Sequence, residues 1–543
     1  MGTLVAKTTT DPADLTTNAA THEAKVLLAA SAGSAFEWYD FFLYGSLAIY
    51  FGDLFFPKGS GPAGFLASLA IFGAGFVARP FGAVVFGRLG DLIGRKYTFL
   101  ATILIMGFST AAVAFLPTFE QIGWAAPVIL VILRLAQGLS VGGEYGGAAI
   151  YVAEHAPAHR RGYKTSWIQI TPILGQLLSM IVVVGCIFLI GQEAFAAWGW
   201  RVPFALSLIL LALCVYVRLQ LNESPAFQHM KAEGTLAKSP LLESFTIPGN
   251  MRRLIVALAA AAGMGAAGYA SQIQGLYFLQ AVLGVDRMTS FLIIGAALIV
   301  ATPLFVLFGA LSDRLGRRPI IAAGLGLFVV ACFPVYHAIT RAANPALADF
   351  QRQTIVTVTA SNCRFTVFPT PNMKPSECDR VRAVLNGAGV SYSLLPGPMG
   401  AEPTTRIGNR EIVGSDATSL KRTLVEAGLP SRADPAQINT MAVVLLLVAL
   451  LTSYAAAFGP MAAWLVELFP AKVRYTSVSL PYHLGTGLIG GMVPLFVSAL
   501  SVWAGNVYFG FWYPVIITAV AFLMVVMIPI EPNPSDELRD ETL

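Results

Sequence analysis

The sequence predicts an all-α membrane protein of about twelve transmembrane helices in two parallel six-helix repeats, with a small extracytoplasmic α+β insert. Three observations predict it. Of 543 residues, 56% are apolar and only 12% are charged, against about 25% in an ordinary soluble domain. Near-uncharged apolar stretches of about 18–25 residues recur along the chain. A charged loop motif occurs twice, with an offset of 222 residues between Phe86 and Phe308. So few charges cannot cover a water-soluble surface, which excludes a soluble enzyme, a disordered chain and a nucleic-acid binder. The five cysteines form neither a CxxC nor a Cys/His cluster, so no metal or redox site is expected.

Residues 1–24 are polar and Thr-rich and read as a cytoplasmic tail rather than a signal peptide. An N-terminal bundle, 25–220, holds spans near 26–50, 64–87, 98–117, 126–151, 167–191 and 202–219. A cytoplasmic loop, 221–252, leads to the first part of the C-terminal bundle, 253–340, with spans near 253–283, 289–311 and 319–338. The insert, 341–437, follows. The second part of the bundle, 438–530, holds spans near 440–466, 476–500 and 507–530, and 531–543 is a cytoplasmic tail. In this topology nineteen Lys and Arg lie on one side, while the short loops on the other hold only Lys58, Arg201 and Arg287. That asymmetry places both termini in the cytoplasm and 341–437 outside, in the inner membrane of a bacterium. Trp198, Trp200, Trp503 and Trp512 read as interfacial anchors.

The insert carries eleven Lys/Arg and eight Asp/Glu. Residues 353–360 and 364–370 read as strands, and 376–387 and 415–430 as short capped helices. Cys363 and Cys378 either bridge in an oxidising exterior or remain free thiols.

The repeated loop runs from Phe86 to Lys96 and from Phe308 to Arg318, identical at six of eleven positions. A fainter repeat relates Glu154, Pro157, Ala158 and Arg161 to Glu467, Pro470, Ala471 and Arg474, with an offset of 313. The two offsets differ by about the length of the insert. Parallel repeats place a binding site between the halves near the midplane, exposed to alternate sides as one half rocks against the other. The doubled loop supplies a cytoplasmic gate: Gly87, Asp91, Gly94, Arg95 and Lys96 in one half, Gly309, Asp313, Gly316, Arg317 and Arg318 in the other. Their charges make and break contacts with neighbouring helix ends. Topology enforcement alone is the simpler alternative.

This G-x-L-x-D-x-x-G-R-[KR] loop resembles the signature of the major facilitator superfamily. Phe36-Glu-Trp-Tyr-Asp40 with Tyr44, Ala78-Arg-Pro80, Arg134-x-x-Gln137-Gly138, Gly142-Gly-Glu-Tyr-Gly-Gly147 and Leu221-x-Glu-Ser-Pro-x-Phe227 together resemble its metabolite:proton symporter family. The resemblance implies uptake of organic acids or zwitterionic osmolytes. It covers nearly all the chain except 341–437, where that family has a short loop.

Five ionisable side chains lie deep in the predicted spans: Glu37, Asp40, Arg79, Arg134 and Glu144, all in the N-terminal half. Charge inside a span is costly and marks function by default. Glu37 and Asp40 share a helical face with Tyr44. Two carboxylates this close do not both ionise cheaply, so one can take up a proton outside and release it inside. Arg134 is placed to neutralise Glu37 or Asp40, and Glu144 to face Arg79; static ion pairs between helices are the alternative. Gly138, Gly142 and Gly146 recur every fourth residue, a close-packing pattern. The C-terminal half offers Gln272, Gln274, Tyr277, Tyr454, Tyr482 and His483 as polar cavity groups.

The sequence is therefore that of a proton-coupled symporter for a small polar solute, with no enzymatic nucleophile, Walker loop or cofactor. It has no nucleic-acid partner and is expected to be a monomer in the bilayer. Arg79 and Arg134 suit the carboxylates of a dicarboxylate, tricarboxylate or shikimate-like anion, ahead of proline or betaine. A non-transporting sensor on a transporter fold is the competing class.

Overall fold

The computed structural model describes residues 34–57, 61–93, 95–143, 145–219, 240–363, 376–430, 432–470 and 473–530. Among them, eight continuous helical stretches are long and apolar enough to cross a membrane. A ninth is bent by 65° between Gln192–Gly199 and Arg201–Tyr216.

The elements that position the site are α1 (34–54), α2 (Gly61–Ile93), α3 (Arg95–Ala114), α4 (Ala125–Val141), α5 (Arg161–Gln169), α6 (Thr171–Ile190) and α7 (Arg201–Leu219) in the first half. The second half contributes α8 (Asn250–Tyr269), continued through wider turns to Val282, then α9 (Arg287–Leu315) and α10 (Arg317–Ala343). Asp286 caps α9 by accepting from the Thr289 N–H at 3.0 Å. Gly316 ends it at φ 90, a turn that disfavours a side chain. Small residues let α2 and α4 meet backbone to backbone. A Cβ on Gly138 would strike the Gly75 carbonyl, and one on Gly142 the Arg79 carbonyl. The fourfold glycine spacing is thus used for packing, and it sets Arg79 and Arg134 inside the bundle, both fully buried.

The insert opens with a helix, α11 (Pro345–Gln353), so the first strand starts later than expected, at β1 (Val356–Ala360). It crosses through α12 (Glu377–Gly387) to the parallel β2 (Ser393–Pro396); β3 (Thr404–Ile407) and β4 (Arg410–Val413) form a hairpin, giving the order β2-β1-β3-β4. Helix α13 (Ala417–Glu426) follows. The last three strands escape sequence patterning because they are four residues each and bounded by Gly and Pro. Both expected helices form. Ser376 and Asp379 close a capping box on α12, and Asp416 caps α13. The expected strand 364–370 lies outside the described residues. Cys363 and Cys378 are bonded.

The second half closes with α14 (Thr440–Phe458), α15 (Met461–Leu468), α16 (Arg474–Tyr482), α17 (Val493–Ala504) and α18 (Trp512–Met527). Trp198, Trp503 and Trp512 are about half exposed, as anchors would be. Trp200 is fully buried instead, edge-on to Phe51 and Phe55 at 5.6 Å each, because the bend before α7 turns it inward.

Candidate functional site

Asp40 lies on α1, buried, and accepts a hydrogen bond from Ser207 Oγ of α7 at 2.6 Å. Tyr39 ties the same two helices by donating to the Pro203 carbonyl at 2.7 Å. Arg134 does not pair with Glu37 or Asp40 as expected. Its Nη1 donates to Gln137 Oε1 at 2.6 Å and its Nη2 to the Phe41 carbonyl at 3.2 Å, with its plane over the Tyr44 ring at 3.9 Å. Gln137, one turn along the same helix, offers an acceptor without the reach a carboxylate on α1 would need. Gln137 Nε2 in turn donates to Thr110 Oγ1 of α3 at 2.8 Å. The amide and hydroxyl therefore run from Arg134 toward the helix that faces Asp40. Tyr44 turns away from Asp40 and donates to the Ser68 carbonyl at 3.1 Å. Glu37 is partly exposed. Glu144 lies outside the described residues.

Arg79 stands between the halves. Its Nε and Nη2 have no hydrogen-bond partner, and it lies over the rings of Phe41, Phe76 and Trp38 at 4.2, 4.5 and 5.0 Å. It lines a small cavity, about 30 Å³, with Trp38, Tyr269, Gln272, Tyr454 and Tyr482. Of the expected cavity groups, Gln272, Tyr454 and Tyr482 line this cavity. Gln274 and Tyr277 line a separate cavity of about 270 Å³ beside the insert, because the wide turns of 270–274 and 278–282 rotate them off the Gln272 face. His483 is fully buried with both ring nitrogens unpartnered, and its neighbour Tyr482 takes the cavity position. Trp38 and Tyr269 were missed. Tyr269 is three residues before Gln272, a spacing that pairs them on one face.

Both ends of the central cavity are closed. At the end that carries the insert, Tyr277 donates to the Gly45 carbonyl at 2.6 Å, and Arg287 faces Asp53 at 3.9 Å. At the opposite end, the two oxygens of Asp313 accept the backbone N–H groups of Gly162 and Tyr163, each at 2.9 Å. Those are first-turn amides of α5, where a carboxylate meets unsatisfied donors and the positive helix end. Arg317 holds Asp313 at 2.6 Å and Glu467 at 3.1 Å, and Arg161 reaches Glu467 from the other half at 3.3 Å. Gly309 lies so close to Gly162 and Ser166 that a Cβ would clash. Arg318 donates to the Val526 and Ile528 carbonyls at the end of α18, at 2.8 and 2.9 Å. Gly316 supplies the turn between α9 and α10. In the other copy of the loop, Gly94 and the side chains of Asp91, Arg95 and Lys96 lie outside the described residues, and of Gly87 only the helical backbone is described.

A two-bundle helical membrane protein with a cavity between its halves, closed by contacts that cross from one half to the other, is a transporter rather than an enzyme. The family profile "Sugar (and other) transporter" matches residues 25–250. The chain is 33% identical to the alpha-ketoglutarate permease of Escherichia coli K12 over 390 residues, covering 71% of this chain and 87% of that one. It is 38% identical over 315 residues to the glycine betaine/proline/ectoine/pipecolic acid transporter OusA of Dickeya dadantii, 56% of this chain and 63% of the relative's length. In fold it is similar to the xylose transporter XylE from E. coli in a partially occluded inward-open conformation, with a TM-score of 0.60 at 16% identity, covering 93% and 98% of the two chains. The chain belongs to the metabolite:proton symporter family of the major facilitator superfamily.

Proposed function

We propose that this protein is a proton-coupled symporter that takes up a small carboxylate-bearing solute by alternating access, as a monomer and without a cofactor. The observation that carries this reading is Arg79, a buried guanidinium with unpartnered donors at the cavity between the halves. An uncompensated buried cation costs several kcal/mol, and a solute carboxylate relieves that cost. Twelve crossings follow if 34–54, the bent pair and the shorter apolar helices Leu100–Ala114 and Ala125–Val141 join the eight long helices. With the N-terminus inside, the insert is outside. Asp40 is the proton carrier: it is buried, hydrogen-bonded to Ser207 and without an ion pair among the described residues.

One guanidinium at the cavity, not two, favours a solute with one carboxylate. The rings of Trp38, Tyr269, Tyr454 and Tyr482 suit an apolar or cationic body. This geometry ranks a zwitterion of the proline or betaine type ahead of a dicarboxylate. The second reading, a dicarboxylate, is favoured by the alpha-ketoglutarate permease, which the chain matches over 87% of its length. The relatives named as transporters give a sensor no support. Uptake of proline, glycine betaine, alpha-ketoglutarate and shikimate into energised vesicles tests the reading. Arg79→Gln removes a charged hydrogen-bonding contact of about 1.5–3 kcal/mol, raising KM about 10- to 150-fold for the true substrate. An unchanged KM with Gln at this position overturns the assignment.

A further inference from the structure

We propose that the insert roofs a second, outer solute subsite, one that binds the N–H- or O–H-bearing end of the solute before it reaches Arg79. The outer cavity of about 270 Å³ is built by both halves and the insert: Asp53 and Phe65 from the first half, Gln274, Tyr277 and Ser498 from the second, and Asn386 from α12. Gln274 is 3% exposed and its Oε1 has no hydrogen-bond partner. A buried acceptor left unmet costs about 1–3 kcal/mol, so a donor in this cavity is favoured. Asp53 adds a second acceptor, and Arg287 stands 3.9 Å from it, beyond a direct hydrogen bond. Among the described residues lining the cavity there is no Lys or Arg. Its chemistry is therefore complementary to that of the central site. A carboxylate fits against Arg79, and an ammonium or hydroxyl group fits here.

The roof is fixed to the second half. Buried Arg382 of α12 donates to the Val502 and Trp503 carbonyls at 2.9 and 3.1 Å and to the Tyr392 hydroxyl at 3.0 Å. The Tyr392 N–H donates to the Gly505 carbonyl at 2.7 Å. Gly389, at φ 65, lies against the Val282 carbonyl, where a Cβ would clash. Asn386 and Gly387 are thus held over the cavity by the ends of α17 and of the stretch that continues α8. The outer subsite selects an imino acid with two N–H donors over a quaternary ammonium compound with none. This inference rests on the reading that the central site takes a carboxylate-bearing solute.

Gly387 gives the test. It lines the cavity at the last turn of α12, and a Cβ there meets nothing within 4 Å. In Gly387→Cys, labelled from outside by a membrane-impermeant thiosulfonate, proline at about ten times its Kd slows modification about tenfold, and glycine betaine at the same concentration does not. The parent chain, whose Cys363 and Cys378 are bonded, controls for labelling elsewhere. Protection by proline persists in Arg79→Gln, since the two sites are separate, and is lost in Gln274→Ala. Absence of protection, equal protection by glycine betaine, or loss of protection in Arg79→Gln each overturns the outer subsite. Uptake by the unaltered chain is measured in parallel. If it carries no carboxylate solute, the central reading fails; if it carries proline and Gly387→Cys shows no protection, only the outer subsite fails.

Discussion

Asp313→Ala removes the part of the closure at the end opposite the insert that reads most directly from the geometry. Its carboxylate accepts two amides of the opposite half at 2.9 Å each, from a side chain only 7% exposed. Hydrogen bonds to a charged group contribute about 1.5–3 kcal/mol each. The two bonds share one carboxylate, so the second adds less than the first, and the net bias toward the closed state is roughly 2–3 kcal/mol for the pair. The Arg317 bond lies four residues away within the same half and does not cross between the halves, so it is left out of that bias. Each 1.4 kcal/mol is a factor of ten, which makes the expected shift about 30- to 150-fold toward the form open at that end. Spin labels at Arg160 and Arg314, both exposed and on opposite halves, report it by pulsed electron paramagnetic resonance. The longer distance should become the major population in Asp313→Ala, with Asp313→Asn intermediate because it keeps one acceptor. A distance distribution that does not move refutes the reasoning, since the two amide bonds would then carry no conformational bias.

Asp40→Asn should abolish accumulation driven by a pH gradient while leaving solute exchange at equal concentrations, as counterflow in vesicles will show. Gly138→Ala forces a methyl into the Gly75 carbonyl, so α2 and α4 must separate; overpacking of this kind costs about 1–3 kcal/mol, read as a lower unfolding temperature in detergent. In the insert, hydrogen bonds from Ser419 hold the exposed Asp416 carboxyl below its usual range. A carboxyl lowered on folding stabilises above its unfolded pKa, near pH 4, and loses that contribution as the pH falls through the folded value. Amide exchange of Ser419 should therefore accelerate, relative to its intrinsic rate, between about pH 5 and 3, and Asp416→Ala should remove the acid-dependent part.

Patterns that depend on one helix or one loop were legible in the sequence. Apolar length located the eight long helices found among the described residues, the doubled loop located Asp313 and Arg317, and the glycine spacing located the contact of α2 with α4. Capping residues located both predicted helices of the insert. Pairings between helices were not legible, because the partner's rotation about its axis is set by packing. Arg134 was assigned to a carboxylate and instead meets Gln137 and the Phe41 carbonyl. The wide turns in 270–274 and 278–282 break the 3.6-residue period, which is why Gln272 and Gln274 face different cavities. A wide turn also begins at His483, and of the expected pair Tyr482 lines the Arg79 cavity while His483 does not. The short strands of the insert carry too few residues for alternation to show.

Coupled, two-sided transport through the Arg79 cavity is decided by solute accumulation in liposomes that carry the purified chain. With an inward proton gradient imposed, proline or another carboxylate-bearing solute should rise inside well above its external concentration and should fall back when a protonophore collapses the gradient. Arg79→Gln should lose the effect at the same solute concentration. Equal internal and external solute whether or not the gradient is present, in a chain that still exchanges solute, would contradict proton coupling.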